Sequence, residues 1–258
     1  FHANAREDDA MAHVMLVTGG SRGIGAAICR RAAQAGWDVA VNYHGAADKA
    51  AQVVADVEAA GQRALAVQAD TADEDSVAAM FTNIAGQLGP IGALINNAGI
   101  VEKLDLHDLD TARLRRMIDV NVTGCFICAH QALRQMSTRL GGAGGTIVNI
   151  SSRASASGGL PRSVDYAATK GAVDSFTLGL AKEGAPHGVR SVAIRPGLIH
   201  SDIHDQNGGR EAVEAMAKAG VPMARAGEPE EIAGLAVWLC GPEASYVSGA
   251  LIDVGGGR

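Results

Sequence analysis

Short β-branched runs alternate with longer alanine-rich stretches along almost the whole chain, and this rhythm restricts the fold more tightly than any other feature. The strand-like runs are HVMLVT (13–18), DVAVNY (38–43), RALAVQ (63–68), GALINN (92–97), GTIVNIS (145–151), VRSVAIR (189–195) and YVSGALIDV (246–254). Helical patterns separate them at 23–35, 48–60, 73–87, 112–139 and 165–185. Strands that alternate with helices of this length need parallel crossover connections, and so a sheet covered on both faces. Seven such strands predict an α/β, doubly wound, three-layer fold around a mostly parallel sheet. The length of 258 residues suits one α/β domain. No linker interrupts residues 11–258, and the GGAGG at 141–145 reads as a turn. Residues 1–10, FHANAREDDA, precede Met11 and lack the apolar segment of a signal peptide, so they read as a mobile extension or an artificial remnant.

Charge and cysteine usage exclude several classes. The net charge of −6 does not supply the basic face of a nucleic-acid binder, and no apolar run reaches the length of a membrane span. Of Cys29, Cys125, Cys128 and Cys240, the middle pair forms a C-x-x-C. It stands in an apolar helical run without a second ligand pair, so no metal site is expected and the thiols read as small core residues. This usage fits a reducing cytoplasm.

The first strand runs into Thr18-Gly19-Gly20-Ser21-Arg22-Gly23-Ile24-Gly25, and a helix starts at once. Free N–H groups and the dipole at a helix N-terminus favour phosphate oxygens, and glycine lets the backbone approach them. Gly19, Ser21, Arg22, Gly23, Ile24 and Gly25 are thus expected to cradle a dinucleotide in a Rossmann-type fold. An acid at the end of the second strand would select NAD; this chain has Asn42-Tyr43-His44-Gly45 there instead. With Arg22 available to a 2′-phosphate, Tyr43 and His44 complete a site that favours NADP(H), NAD(H) being the second candidate.

Tyr166 and Lys170 in YAATK lie one helical turn apart on one side. The pair suits a phenol assisted by a nearby ammonium, and it suits equally a solvated helix flank with a snorkelling lysine. The segment 198–228 mixes a helical piece with Gly, Pro and Asn after a strand end, where α/β folds carry lids, and it reads as a substrate flap.

Taken in order, TGGSRGIG, NNAG (96–99), Asn121 in DVNVTG, ISS (150–152), YAATK (166–170), RPG (195–197) and YVSGALIDVGGG resemble the short-chain dehydrogenase/reductase superfamily nearly end to end. The similarity is to its glucose 1-dehydrogenase and 3-oxoacyl-carrier-protein reductase branch. The resemblance implies a catalytic tetrad of Asn121, Ser152, Tyr166 and Lys170. In it Tyr166 acts as acid/base, Ser152 holds the substrate oxygen, Lys170 also binds the nicotinamide ribose, and Asn121 supports a water. Ser152 precedes Tyr166 by fourteen residues where thirteen is common, so Ser151 and Ser155 stand as alternatives. The resemblance further implies cofactor contacts from Asp70, Thr71, Asn97, Ala98, Gly99, Pro196, Gly197, Ile199 and Ser201. It also implies a homotetramer built through the helices at 112–139 and 165–185.

Candidate substrate residues are Arg153, Gly159, Leu160, Arg162, His200 and His204. The expected substrate is a small carbonyl or alcohol, sugars included. A 3-oxoacyl-carrier-protein reductase is the alternative, disfavoured by Gly142, Ala143 and His187 where basic residues serve carrier proteins. A cofactor-binding regulatory protein without turnover is the alternative of another class.

Overall fold

The computed structural model describes residues 13–201 and 209–258. The extension read at residues 1–10, Met11 and His204 lie outside the described residues. Seven strands form one sheet, all pairs parallel, in the order β3-β2-β1-β4-β5-β6-β7. They are β1 (Val14–Val17), β2 (Asp38–Tyr43), β3 (Ala64–Gln68), β4 (Ile91–Asn96), β5 (Gly145–Ile150), β6 (Val189–Pro196) and β7 (Leu251–Val254). The expected fold class is the one observed, and the sheet is parallel throughout.

Side-chain alternation along β1 explains why both faces are buried. Met15 and Val17 point into one apolar cluster with α1 (Gly23–Gln34), α2 (Ala47–Ala59) and α9 (Pro229–Cys240). Val14 and Leu16 point into the other, with α3 (Glu74–Gln87), α5 (Gly124–Met136) and α7 (Val164–Gly184). A strand covered on both sides needs apolar residues at every position, which is how these runs read in the sequence. All four cysteines are buried and unpaired. Among the described residues no helix is long and apolar enough to cross a membrane.

Two expectations need correction. The pattern at 112–139 is not one helix: α4 (Thr111–Ile118) passes through a π-turn at Asp119–Thr123 into α5, and a 3₁₀ turn at Thr138–Leu140 follows. In the π-turn the Gly124 amide reaches back five residues to the Asp119 carbonyl. One inserted residue widens the helix without ending it, so apolar periodicity does not reveal it. At the C-terminal end only residues 251–254 of the predicted 246–254 strand pair with β6. Gly249, at φ +69°, bends the chain ahead of the regular ladder while its amide donates to the Ser191 carbonyl at 2.8 Å.

Sequential strands step to opposite sides of β1, which pairs with β2 and β4. The direction in which strands are added reverses there, and a crevice opens at the carboxyl ends of the strands. Over it, α8 (Gly209–Gly220) packs Val213 and Ala217 onto Leu198, Val221 and Ala226, with Leu160 against them. The described parts of the expected flap thus carry their own small apolar cluster.

Candidate active site

The turn after β1 is fixed by buried polar side chains. Thr18 Oγ1 accepts from the amides of Asn97 (2.9 Å) and Ala98 (3.0 Å), while Asn97 Nδ2 donates to the carbonyls of Thr18 and Gly19 (2.9 and 3.1 Å). Asn42 Oδ1 accepts from the Gly19 amide at 3.2 Å, and its Nδ2 donates to Val67 and Ala69. Gly25 faces this turn so closely that a Cβ there would lie 2.4 Å from Gly19 O and 2.6 Å from Asn97 Nδ2. α1 begins with no side-chain cap and no acid in its first turn, so its N-terminus is open to an anion. The cradle fits a dinucleotide phosphate.

From this turn a cleft of about 600 Å³ runs across the strand ends. Its walls include every cofactor residue expected from the sequence: Gly19, Ser21, Arg22, Gly23, Ile24, Gly25, Tyr43, His44, Asp70, Thr71, Asn97, Ala98, Gly99, Pro196, Gly197, Ile199 and Ser201. Burial opposes charge on Asp70, but the Ala72 amide and the Arg116 guanidinium at 2.9 Å together hold its carboxyl below the ordinary range.

At the other end the cleft is lined by Ser152, Tyr166 and Lys170. α7 carries Tyr166 and Lys170 on one side, with the ammonium 5.8 Å from the centre of the phenol ring. Lys170 is 5 % exposed, and its Nζ donates to the Ile150 carbonyl at 2.8 Å. Ser152 Oγ accepts from the Ala154 amide at 3.0 Å, which leaves its own hydrogen free to donate. Ser151, by contrast, is buried with its hydroxyl 3.2 Å from the Lys170 carbonyl, and Ser155 donates to the Ser152 carbonyl at 2.7 Å. The extra residue before Tyr166 is absorbed between α6 (Ala154–Ser157) and α7, where Gly158, Gly159 and Arg162 all have left-handed φ. Asn121 does not line the cleft. Fully buried in the π-turn, it accepts from the Ile100 amide (2.8 Å) and donates to the Ile100 carbonyl (2.9 Å) and Thr169 (3.2 Å).

The substrate candidates divide. Arg153, Gly159 and Leu160 line the cleft; Arg162 and His200 do not. Arg162 is held at 3.1 Å by Asp105, and His200 packs 3.3 Å from Glu214 of α8. Asn42, Lys103, Arg116, Leu198 and Arg258 also line the cleft and were not expected there. Asn42 had a visible signal, a polar residue ending an apolar strand. Lys103 and Arg116 had none, because neither a loop nor an arginine-rich helix reveals which charge turns inward. Among the described residues no group of three or more His, Cys, Asp or Glu could hold a metal ion.

A family model described as short chain dehydrogenase matches residues 13–228. The chain belongs to the short-chain dehydrogenase/reductase family. This short-chain dehydrogenase/reductase is 44 % identical over 246 residues to the uncharacterized oxidoreductase YgfF of Escherichia coli, covering 95 % of this chain and 99 % of that one. It is 38 % identical over 242 residues to the 3-oxoacyl-[acyl-carrier-protein] reductase FabG of Staphylococcus aureus, covering 94 % and 96 %. Among solved structures, a short chain dehydrogenase from Burkholderia cenocepacia in complex with NADP superposes with a TM-score of 0.87 at 33 % identity, over 96 % of this chain and 98 % of that one. The protein is therefore an oxidoreductase acting between CH–OH and C=O.

Proposed function

We propose that residues 11–258 form a single NADP(H)-dependent oxidoreductase domain that interconverts a small carbonyl and its alcohol, with Tyr166 as acid/base. The observation that carries this reading is the sharing of one cleft by the glycine cradle and by Ser152, Tyr166 and Lys170. When bound, the nicotinamide gives or takes the hydride. In reduction, Tyr166 passes its phenolic proton to the oxygen that gains charge, and Ser152 donates a second hydrogen bond to the same oxygen. Lys170, tied to Ile150 by one of its three N–H groups, keeps two for the cofactor ribose and the phenol. Asn121 holds the loop at Ile100 that backs the site, and it supports a water on the proton path. Arg22 in the cleft and the absence of an acid at Tyr43-His44-Gly45 support NADP(H), as does the NADP complex of the Burkholderia relative. Comparing the Michaelis constants of the two cofactors tests this, and a clear preference for NAD overturns it.

Tyr166→Phe and Ser152→Ala are each expected to lower turnover by about 10²–10⁴-fold while leaving the melting temperature close to wild type. Full activity in either folded variant contradicts the assigned roles. The 38 % identity to a 3-oxoacyl-carrier-protein reductase favours a second reading, with an acyl thioester as substrate. Cofactor oxidation with an acetoacetyl thioester, against a panel of sugars and short carbonyl compounds, separates the two. A homotetramer completes the proposal: Phe126 of α5, half exposed, stacks on Phe176 of α7 with centroids 3.9 Å apart. Four unpaired cysteines support a cytoplasmic setting.

A further inference from the structure

The molecule carries a net charge of −6, yet its cleft has the opposite sign. Six cationic side chains line it (Arg22, Lys103, Arg116, Arg153, Lys170 and Arg258) against one acidic side chain, Asp70, and Lys170 is held by the Ile150 carbonyl. Arg22 lies in the phosphate cradle, and Arg116 is neutralised by Asp70 at 2.9 Å. Arg153 is paired with Asp253 at 2.5 Å. Lys103, like the exposed Arg22 and Arg258 side chains, has neither a hydrogen bond nor an ion pair among the described residues, but of these three it alone is half-buried.

The residues on either side of Lys103 fix where it sits. Arg113 holds the Glu102 carboxylate at 3.1 Å and the Asp165 carboxylate at 2.7 Å, so residue 102 is tied to the position next to Tyr166. On the other side, the Leu104 amide donates to the Arg162 carbonyl at 2.9 Å, and Asp105 takes the Arg162 guanidinium at 3.1 Å. The loop is thus stapled to the start of the tyrosine helix immediately before and after Lys103. Both nearby loop acids, Glu102 and Asp105, are occupied by arginines. A half-buried ammonium in the cleft wall, carried on a loop stapled to the tyrosine helix and without a counter-charge among the described residues, stands ready for an anion on the substrate.

We propose that Lys103 is a specificity-determining residue that selects small carbonyl or alcohol substrates bearing a carboxylate or phosphate near the reacting carbon. The assignment rests on the hydride-transfer reading of the cleft, and its test separates the two. The enzyme is saturated with NADP⁺, so that a carbonyl ligand binds without being reduced, and affinities are measured by calorimetry. Pyruvate, acetoacetate and levulinate are each compared with their methyl esters, and dihydroxyacetone phosphate with dihydroxyacetone. The three acids place the carboxylate at increasing distances from the carbonyl, and the phosphate arm distinguishes the two kinds of anion.

At least one anionic ligand is expected to bind about 10-fold more tightly than its neutral partner, the scale of a hydrogen bond to a charged group. Lys103→Met removes that ratio and Lys103→Arg retains it. Equal affinities in every pair, or a ratio that survives Lys103→Met, overturn the proposal. A preference that is present and depends on Lys103, with no oxidation of NADPH by any compound, would leave Lys103 in place and refute hydride transfer instead.

Discussion

Gly25 has the least freedom of any residue in the cradle. Two of the atoms that would meet its Cβ, Gly19 O and Gly20 Cα at 2.4 and 3.0 Å, are backbone and cannot swing aside. Gly25→Ala is therefore expected to lower unfolding free energy by about 1–3 kcal/mol, the usual range for overpacking. It should also weaken NADPH binding at least tenfold, as read by cofactor fluorescence titration. Wild-type affinity in this variant would mean that the turn after β1 is not the phosphate site. At this scale the sequence is most legible where chemistry demands a residue type, as with the glycines of 19–25, the Tyr166–Lys170 pair and Asn97. It is least legible where a charged side chain has a choice of directions. Arg162 and His200 were as plausible as Arg153, yet Asp105 and Glu214 engage them outside the cleft. Lys103 was invisible because what marks it is the pairing of its neighbours.

Helix α9 starts at a capping box between Glu228 and Glu231. Glu231 accepts from the Glu228 amide at 2.9 Å and takes two bonds of 2.7 Å from Arg225. The Arg225 guanidinium, and then the amide, hold its carboxyl at about 2 against an ordinary 4.5. The folded value lies below the unfolded one, so the contribution is complete above about pH 4.5 and fades as pH falls toward 2. Both side chains are close to half exposed, and solvent screening keeps the effect small. Glu231→Gln should lower the urea midpoint at pH 7, with the gap to wild type narrowing between pH 5 and pH 3. A gap that is constant with pH would assign the effect to lost packing. Elements also show where pattern reading stops. Strand starts were legible because doubly covered strands are apolar at every position. The π-turn was not, since buried Met117 and Cys125 keep the apolar helical rhythm on either side of it. That turn leaves the Asn121 carbonyl to accept from the Cys125 thiol at 3.3 Å, a contact no periodicity encodes.

For the molecule as a whole, α4, α5 and α7 each leave a large apolar side chain at the surface. Ile118, Phe126 and Leu178 are 40, 50 and 39 % exposed. Phe126→Asp is expected to convert the proposed tetramer to a smaller species in light scattering, with the far-ultraviolet spectrum unchanged. A monomeric wild type would rule out the assembly. The interior has a use of its own. Burial pushes the Cys29 and Cys240 thiols up to about 12 and raises those of Cys125 and Cys128 as well. A thiol so placed reacts only when the chain around it opens. Cys29 and Cys240 lie in the layer with α1 and α9, whereas Cys128 lies in the layer with α3 and α5. Folded protein should resist maleimide for hours, and peptide mass spectrometry of slowly labelled samples would then time the opening of each layer separately. The four cysteines are built-in clocks for local unfolding on the two sides of one sheet.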